Sequence, residues 1–444
     1  MISKRRKAIY FGLTLLILYG LVEAISLAGY ALSTGHWLSL AEADAERERV
    51  RAGEPPLALE GNDRGPLPQW QVLHPYLGFV LHPSKREGGS NDYGFVGKLP
   101  PFRTASSEAL PSREDHRAVV AVVGGSLAQR MVDEMAEQLG SALAESACFA
   151  GRTVEVVNLA LPGVKQPQQL MTLNYFLSVG AVIDVLISLD GFNEVVLPIV
   201  ENDAQGVYPF YPRNWKFQTA GLEDVSLMRR VGEVEFWREL RKDVAVTFSL
   251  VPLRYSASAN LLWSLVDRAI DRNAKMKMVD LTLAQGQGGS KRPGYLKRGP
   301  TRNYSSEEEH TRDLIAVWER AIRLMHGTSR TAGIASFHFL QPNQRVPESK
   351  IFAPGEREVA LPKRHAYDAP ARRGYPGLIA AGKRMHAEGI PFDDLTMVFA
   401  EVSEPVYTDG CCHVNRLGSQ KLVLEIARIV RDRFDAGEPC PSFE

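Results

Sequence analysis

The chain is short of cysteine, with four in 444 residues, and it has no excess of either charge, with 52 basic residues against 52 acidic. So few thiols exclude a small scaffold held together by disulfides. The charge balance removes the main reason to expect nucleic acid as a partner, since that binding rests on basic contacts to phosphate. Cys-x-x-Cys and His-Glu-x-x-His spacings are missing, and the run Cys411, Cys412, His413 is consecutive and cannot readily wrap one tetrahedral ion, so no metal is expected. No serine sits in a Gly-x-Ser-x-Gly elbow.

What is present is a chain 45% hydrophobic and 23% charged, enough for one large globular domain or two small ones. Lys4-Arg5-Arg6-Lys7 precedes an apolar run over 8–32 that is broken by Glu23 and a few small polar residues. About 20 such residues cross a bilayer, so residues 1–35 read as a cytoplasmic tip and a transmembrane anchor. A cleaved signal peptide is the competing reading, but the run exceeds the usual signal core of about 7 to 15 residues. Basic residues stay on the cytoplasmic side, which puts the rest of the chain in a periplasmic or extracellular space where disulfides are permitted. Glu23 then lies at the outer interface or faces a partner helix.

Residues 36–73 read as a juxtamembrane stalk, with an exposed helix over 39–53 that ends by Pro55. Aromatics alternate with turn formers over 74–97, and 74–116 reads as a small strand-and-turn element packed on the main domain. From 117 the pattern predicts alternating elements: strands at 117–123, 153–159, 182–189, 334–340 and 395–399, and helices at 129–147, 167–179, 375–387 and 417–434. Ser305 with Glu308 reads as a capping box opening a helix through His326. Such alternation predicts an α/β fold with a parallel sheet covered on both faces. The weaker pattern at about 199–304 reads as an insertion, a lid or cap, that includes a Gly-rich basic loop over 285–302.

In such folds ligands sit at the carboxyl ends of strands, where three loops collect: GGS at 124–126, ALPG at 160–163 and DGFN at 190–193. A serine hydroxyl is a poor nucleophile until an imidazole takes its proton, and an acid that fixes the imidazole tautomer improves the base. Ser126 is the candidate nucleophile, His413 the base and Asp409 the orienting acid. The N–H groups of Ser126 and Gly163 and the side-chain amide of Asn193 are candidate oxyanion donors. His338, inside FHFLQ, reads as a satisfied sheet residue, and Glu194 either positions the Asn193 loop or is solvated.

The ordered blocks VVGGS at 122–126, NLALPG at 158–163, GFNE at 191–194 and DGCCH at 409–413 resemble the SGNH hydrolase superfamily, the GDSL-type esterases. HPYLGF, NDYGF and FLQPN look like features of membrane-linked members from bacterial envelopes. The resemblance implies a flavodoxin-like three-layer α/β/α sandwich and a serine hydrolase that cleaves or transfers O-acyl esters without metal or cofactor. A cell-envelope glycan is the expected carrier of the ester. Gly125 stands where the family has the Asp of its GDS block, and GFNE replaces its Gly-x-Asn-Asp. Asp409 is one residue further from His413 than in Asp-x-x-His, which leaves open a triad, a Ser-His dyad or another carboxylate. Three functions follow: esterase, O-acyltransferase acting on an exported polysaccharide, and an inactive glycan-binding scaffold.

If the helices that follow Ser126 and His413 both start at the catalytic rim, their far ends bring Cys148 and Cys440 to the opposite edge, and a disulfide between them is expected. Cys411 and Cys412 either form a strained vicinal bridge or stay thiols.

Overall fold

The structure, a computed structural model, describes residues 4–52, 71–83, 90–102, 116–219, 225–286 and 298–442. Pro55, by which the helix over 39–53 is expected to end, and most of the 285–302 loop lie outside the described residues. In chain order come α1 (Lys4–Thr34), α2 (Leu40–Ala52), β1 (Gln71–His74), β2 (Gly78–Leu81), β3 (Arg117–Gly124), α3 (Ser126–Leu143), β4 (Thr153–Asn158) and α4 (Gln168–Ser178). Then follow β5 (Val185–Asp190), α5 (Phe192–Leu197), α6 (Trp215–Gln218), α7 (Val225–Phe248), α8 (Ala257–Gly286) and α9 (Glu307–Thr331). The last elements are β6 (Ala335–Leu340), α10 (Glu356–Ala360), α11 (Asp368–Ala387), β7 (Phe392–Asp394) and α12 (Arg416–Asp435). The chain divides into two compact units, one formed by 1–65 with 219–296 and the other by 66–218 with 297–444.

The second unit is built on a five-stranded sheet in the order β4-β3-β5-β6-β7, parallel throughout. The run RAVVAVVG makes β3 an interior strand, paired with β4 on one side and β5 on the other, because its alternate side chains serve opposite faces. Ala118, Val120 and Val122 pack with Leu127 and Met131 of α3 and Leu422 and Ile426 of α12. Val119, Ala121 and Val123 pack with Leu170 and Leu173 of α4 and Ala321 and Met325 of α9. Each fully buried valine contributes roughly 1.5–3 kcal/mol relative to exposure, so a strand apolar on both faces belongs at the middle of a covered sheet. The chain leaves β3 toward β4 on one side and later β5 on the other, so the carboxyl edge beside β3 is the switch point where such folds place their ligands.

The aromatic-rich segments ahead of β3 are turns with buried anchors. His74 Nδ1 accepts the amides of Tyr76 and Leu77 at 3.2 and 3.1 Å, in the turn that joins β1 to β2. Asn91 Oδ1 accepts those of Tyr93 and Phe95, both at 3.1 Å. Phe79, Phe95 and Phe102 are buried against β3 and α4.

Three expectations are corrected. The short strand is Phe392–Asp394, not 395–399, because the Asp394 carboxylate accepts the Thr396 amide at 2.9 Å and turns the chain, leaving Leu395 and Phe399 as core anchors. The cap of α9 lies one residue later than expected: Ser306 accepts the Glu309 amide at 3.1 Å, and Glu309 reaches back to Ser305. Helix α11 begins at Asp368 rather than at Tyr375 and carries Pro376 in its interior.

In the first unit, α7 and α8 form a helical hairpin, α1 packs along α8, and α2 packs along α7. The 199–304 stretch is therefore not one body: 225–286 joins the N-terminal helices, while 199–218 and 298–304 belong with the sheet. Nor is α2 a bare stalk. Arg47 is buried, bonds Asn260 at 2.7 Å and stacks 5.0 Å from the centre of the Trp263 ring.

Candidate active site

Ser126 is the first residue of α3, separated from the end of β3 by Gly125 alone, and no side chain caps that helix. Its first-turn N–H groups are therefore without intrahelical partners and point at the rim. His413 arrives from the other end of the sequence on a tight loop. Tyr407 bridges Val414, the Thr408 amide bonds the His413 carbonyl at 3.0 Å, and the Asn415 amide bonds that of Val406 at 2.8 Å. Asn415 then caps α12 by accepting the Gly418 amide at 3.0 Å. Asp409 and His413 thus face each other across a closed neck, and the added residue is taken up inside the loop.

There the Asp409 carboxylate holds the loop from within. Its Oδ1 accepts the amides of Cys411, Cys412 and His413 at 2.9, 3.2 and 3.3 Å, while Oδ2 accepts from His413 Nδ1. The other imidazole nitrogen, Nε2, lies 2.6 Å from Ser126 Oγ. With Nδ1–H donating to Asp409, Nε2 carries the lone pair that receives the serine proton. Burial works to raise the Asp409 pKa, but the bonds from His413 and the loop amides outweigh it and hold the carboxyl at about 2. Burial likewise works to depress His413, and the bond to Asp409 outweighs it, so the imidazole titrates above its ordinary value.

Asn193 comes from the first turn of α5 beyond β5 and is buried; its Nδ2 donates to the Val164 carbonyl at 2.8 Å. A Cβ placed on Gly125 would lie 2.4 Å from that nitrogen. The φ of Gly125 is an ordinary −87°, so a side chain here is opposed by crowding against the Asn193 amide and not by backbone conformation. Gly163 has a left-handed φ of +76°, and its Cα lies under the Arg213 side chain, which would stand 1.9 Å from any Cβ. Arg213 is itself fixed by Glu201 through bonds of 3.0 and 2.5 Å.

Glu194 is buried rather than solvated. It accepts the Gln166 amide at 3.0 Å, the Gln169 side chain at 3.0 Å and the Gly191 amide at 2.8 Å, tying the loop after β4 to the loop after β5. Burial first, then neighbouring Asp190, pushes its pKa up to about 8. His338 is a satisfied sheet residue whose Nε2 shares Asp190 Oδ1 with Trp318 Nε1, both at 2.8 Å.

The residues whose roles sequence reasoning missed are the last residue of FLQPN, Asn343, and the two that follow it. Gln344 donates to the Asp409 carbonyl at 3.1 Å, Asn343 to the Cys411 carbonyl at 3.1 Å, and Arg345 to the same carbonyl at 3.3 Å. All three are buried. Their signal was a polar run, QPNQR, directly after β6 at the carboxyl edge of the sheet.

Cys411 and Cys412 are thiols with their sulfurs 3.1 Å apart. They lie near His413, but both ring nitrogens of His413 are engaged by Asp409 and Ser126, which leaves none for a metal. Cys148, beyond the end of α3, is bonded to Cys440, beyond the end of α12, with a Cα separation of 5.4 Å. Comparison of the chain with protein-family models and with curated proteins gives no significant match.

Proposed function

We propose that the chain is a membrane-anchored serine esterase of the SGNH type that cleaves an O-acyl ester borne by a cell-envelope glycan. The observation that carries the reading is the relay Ser126 Oγ to His413 Nε2 at 2.6 Å, continued from Nδ1 to Asp409. In order along the chain, the sheet runs 2-1-3-4-5 under two helical layers, the flavodoxin-like order of an α/β/α sandwich, and supports the family resemblance. Helix α1 is long and apolar enough to serve as the anchor.

In this reading Ser126 attacks the ester carbonyl as its proton passes to His413 Nε2. The oxyanion is met by the N–H groups of Ser126 and Gly163 and by the second N–H of Asn193 Nδ2, the first being held by Val164. Collapse returns the proton from His413 to the departing alcohol and leaves acyl-Ser126. Water, deprotonated by His413, then releases the acid. An acceptor hydroxyl in place of that water gives the transferase. The scaffold reading has less support, since a relay aligned at both imidazole nitrogens serves no purpose in a passive binder.

The test is fluorophosphonate labelling of the full-length protein in detergent. Wild type is expected to label and Ser126→Ala to stay unlabelled; labelling that persists in the variant overturns the assignment. With a labelled donor ester, appearance of label on a glycan in excess of hydrolysis reassigns the reaction as transfer.

A further inference from the structure

Glu23, in the middle of an apolar helix, has a partner. Its carboxylate accepts the Ser256 hydroxyl at 2.8 Å, the Ser258 hydroxyl at 2.6 Å, and the amides of Ala257 and Ser258. It therefore caps the N-terminus of α8, where an anion is favoured. Further along, the Leu261 side chain lies 3.0 Å from where a Cβ on Gly29 would stand, and Arg268 donates to the Ser33 carbonyl at 2.6 Å. From Glu23 to Ser33 the two helices therefore run side by side in the same direction. The tip of the α7–α8 hairpin, residues 249–256, lies at the level of Glu23.

That level is set by length. A bilayer core takes about 20 residues of helix, and counting from Ala8, just after the basic cluster, this reaches Leu27. Glu23 then lies about 6 Å inside the outer hydrocarbon boundary at 1.5 Å per residue. The tip is apolar where it is exposed: Leu250, Val251, Leu253 and Tyr255 face outward, with Val251 71% exposed, and Leu262 and Leu265 continue the exposed strip along α8. The charge of the tip, Arg254, is paired with Asp44 at 2.5 Å. A soluble hairpin has no reason to present such a tip beside a membrane helix.

We infer that the α7–α8 tip is a second membrane contact, inserted into the outer leaflet at the boundary of headgroups and acyl chains, with Glu23 as the polar latch between anchor and hairpin. The occupant of the apolar tip is lipid, because the tip continues the surface of the lipid-facing helix on which it is latched. The inference rests on the reading of α1 as a membrane span, and goes beyond it by giving part of the 199–304 insertion a bilayer-binding role.

The test is photolabelling of the full-length protein in phosphatidylcholine vesicles that carry a diazirine on the acyl chain, followed by peptide mapping. Adducts are expected both on α1 and within 249–265, and Val251→Asp is expected to lose the tip adducts while keeping those on α1 and the fluorophosphonate labelling of Ser126. Adducts on α1 with none in 249–265 overturn the inference and leave the anchor intact. Absence from both regions overturns the anchor and the inference together. Cross-links from the tip to a second protein copy in place of lipid adducts also overturn it.

Discussion

In the proposed esterase, Asp409 is the residue on which the chemistry turns, since it fixes both the tautomer and the charge of His413. Only neutral His413 accepts the serine proton, and its pKa is raised above the ordinary 6.5. Activity should therefore rise with pH through a midpoint above that value. In Asp409→Asn the stabilising anion is gone while burial still disfavours the imidazolium, so the acid limb of kcat/KM should move to lower pH. The rate should fall by about 10³ to 10⁴, as expected when the tautomer is no longer enforced. An unchanged acid limb would show that another carboxylate holds His413. Gly125 offers a separate probe, because its Cα faces Asn193 and Val164 and not His413 or Asp409. A Cβ there displaces Asn193 Nδ2, which lies 2.4 Å away. Gly125→Ala should lower kcat about 10² to 10³-fold, the size expected for loss of one oxyanion donor, with KM little changed. An equal fall in Asn193→Ala, with no further fall in the double variant, is the measurement that ties the two together.

Among the elements, the loop 408–413 is held by the segment after β6. Asn343 is buried, with Nδ2 on the Cys411 carbonyl and Oδ1 on the Arg345 amide at 3.0 Å. Asn343→Asp keeps the acceptor and removes the donor, so it sets a carboxylate against a carbonyl beside the catalytic loop. We expect a rate loss together with a displaced acid limb, and Asn343→Ala, without the repulsion, should displace that limb less; a loss of Tm alone, with the pH profile unmoved, would reduce Asn343 to a packing role. The sequence made the ends of this site legible because β3 is an apolar run and β5 a largely apolar one, each followed by a glycine loop, and because His413 stands between a turn and an amphipathic helix. It hid the middle. A buried polar residue such as Gln344 is defined by the carbonyl it meets, Asp409, 65 positions away, and no local period encodes that partner. Strand β7 was hidden for a related reason: Phe392–Asp394 contains two acids, and its place comes from pairing with His338, Phe339 and Leu340.

At the scale of the whole molecule, the sequence showed a long apolar N-terminal helix and a sheet unit but not that 225–286 returns to that helix, because Glu23 looks like a defect in an apolar run until Ser256 and Ser258 are beside it. The long-range tie in the sheet unit was easier to read. Helices α3 and α12 both begin at the carboxyl rim and pack against each other and the sheet, so their ends meet at the far edge, where Cys148 and Cys440 join positions 292 residues apart. A cross-link of that span restricts the unfolded chain strongly, and its loss typically costs about 2–5 kcal/mol. Cys440→Ser should therefore lower the thermal midpoint under non-reducing conditions. Because the bond lies at the opposite edge from Ser126, fluorophosphonate labelling well below that midpoint should keep its wild-type rate. Reducing agent should bring the wild type to the midpoint of the variant and leave the variant where it is. If labelling slows in the variant at low temperature, the helix pair transmits the loss to the rim, and the tie has a part in setting the position of Ser126 against His413.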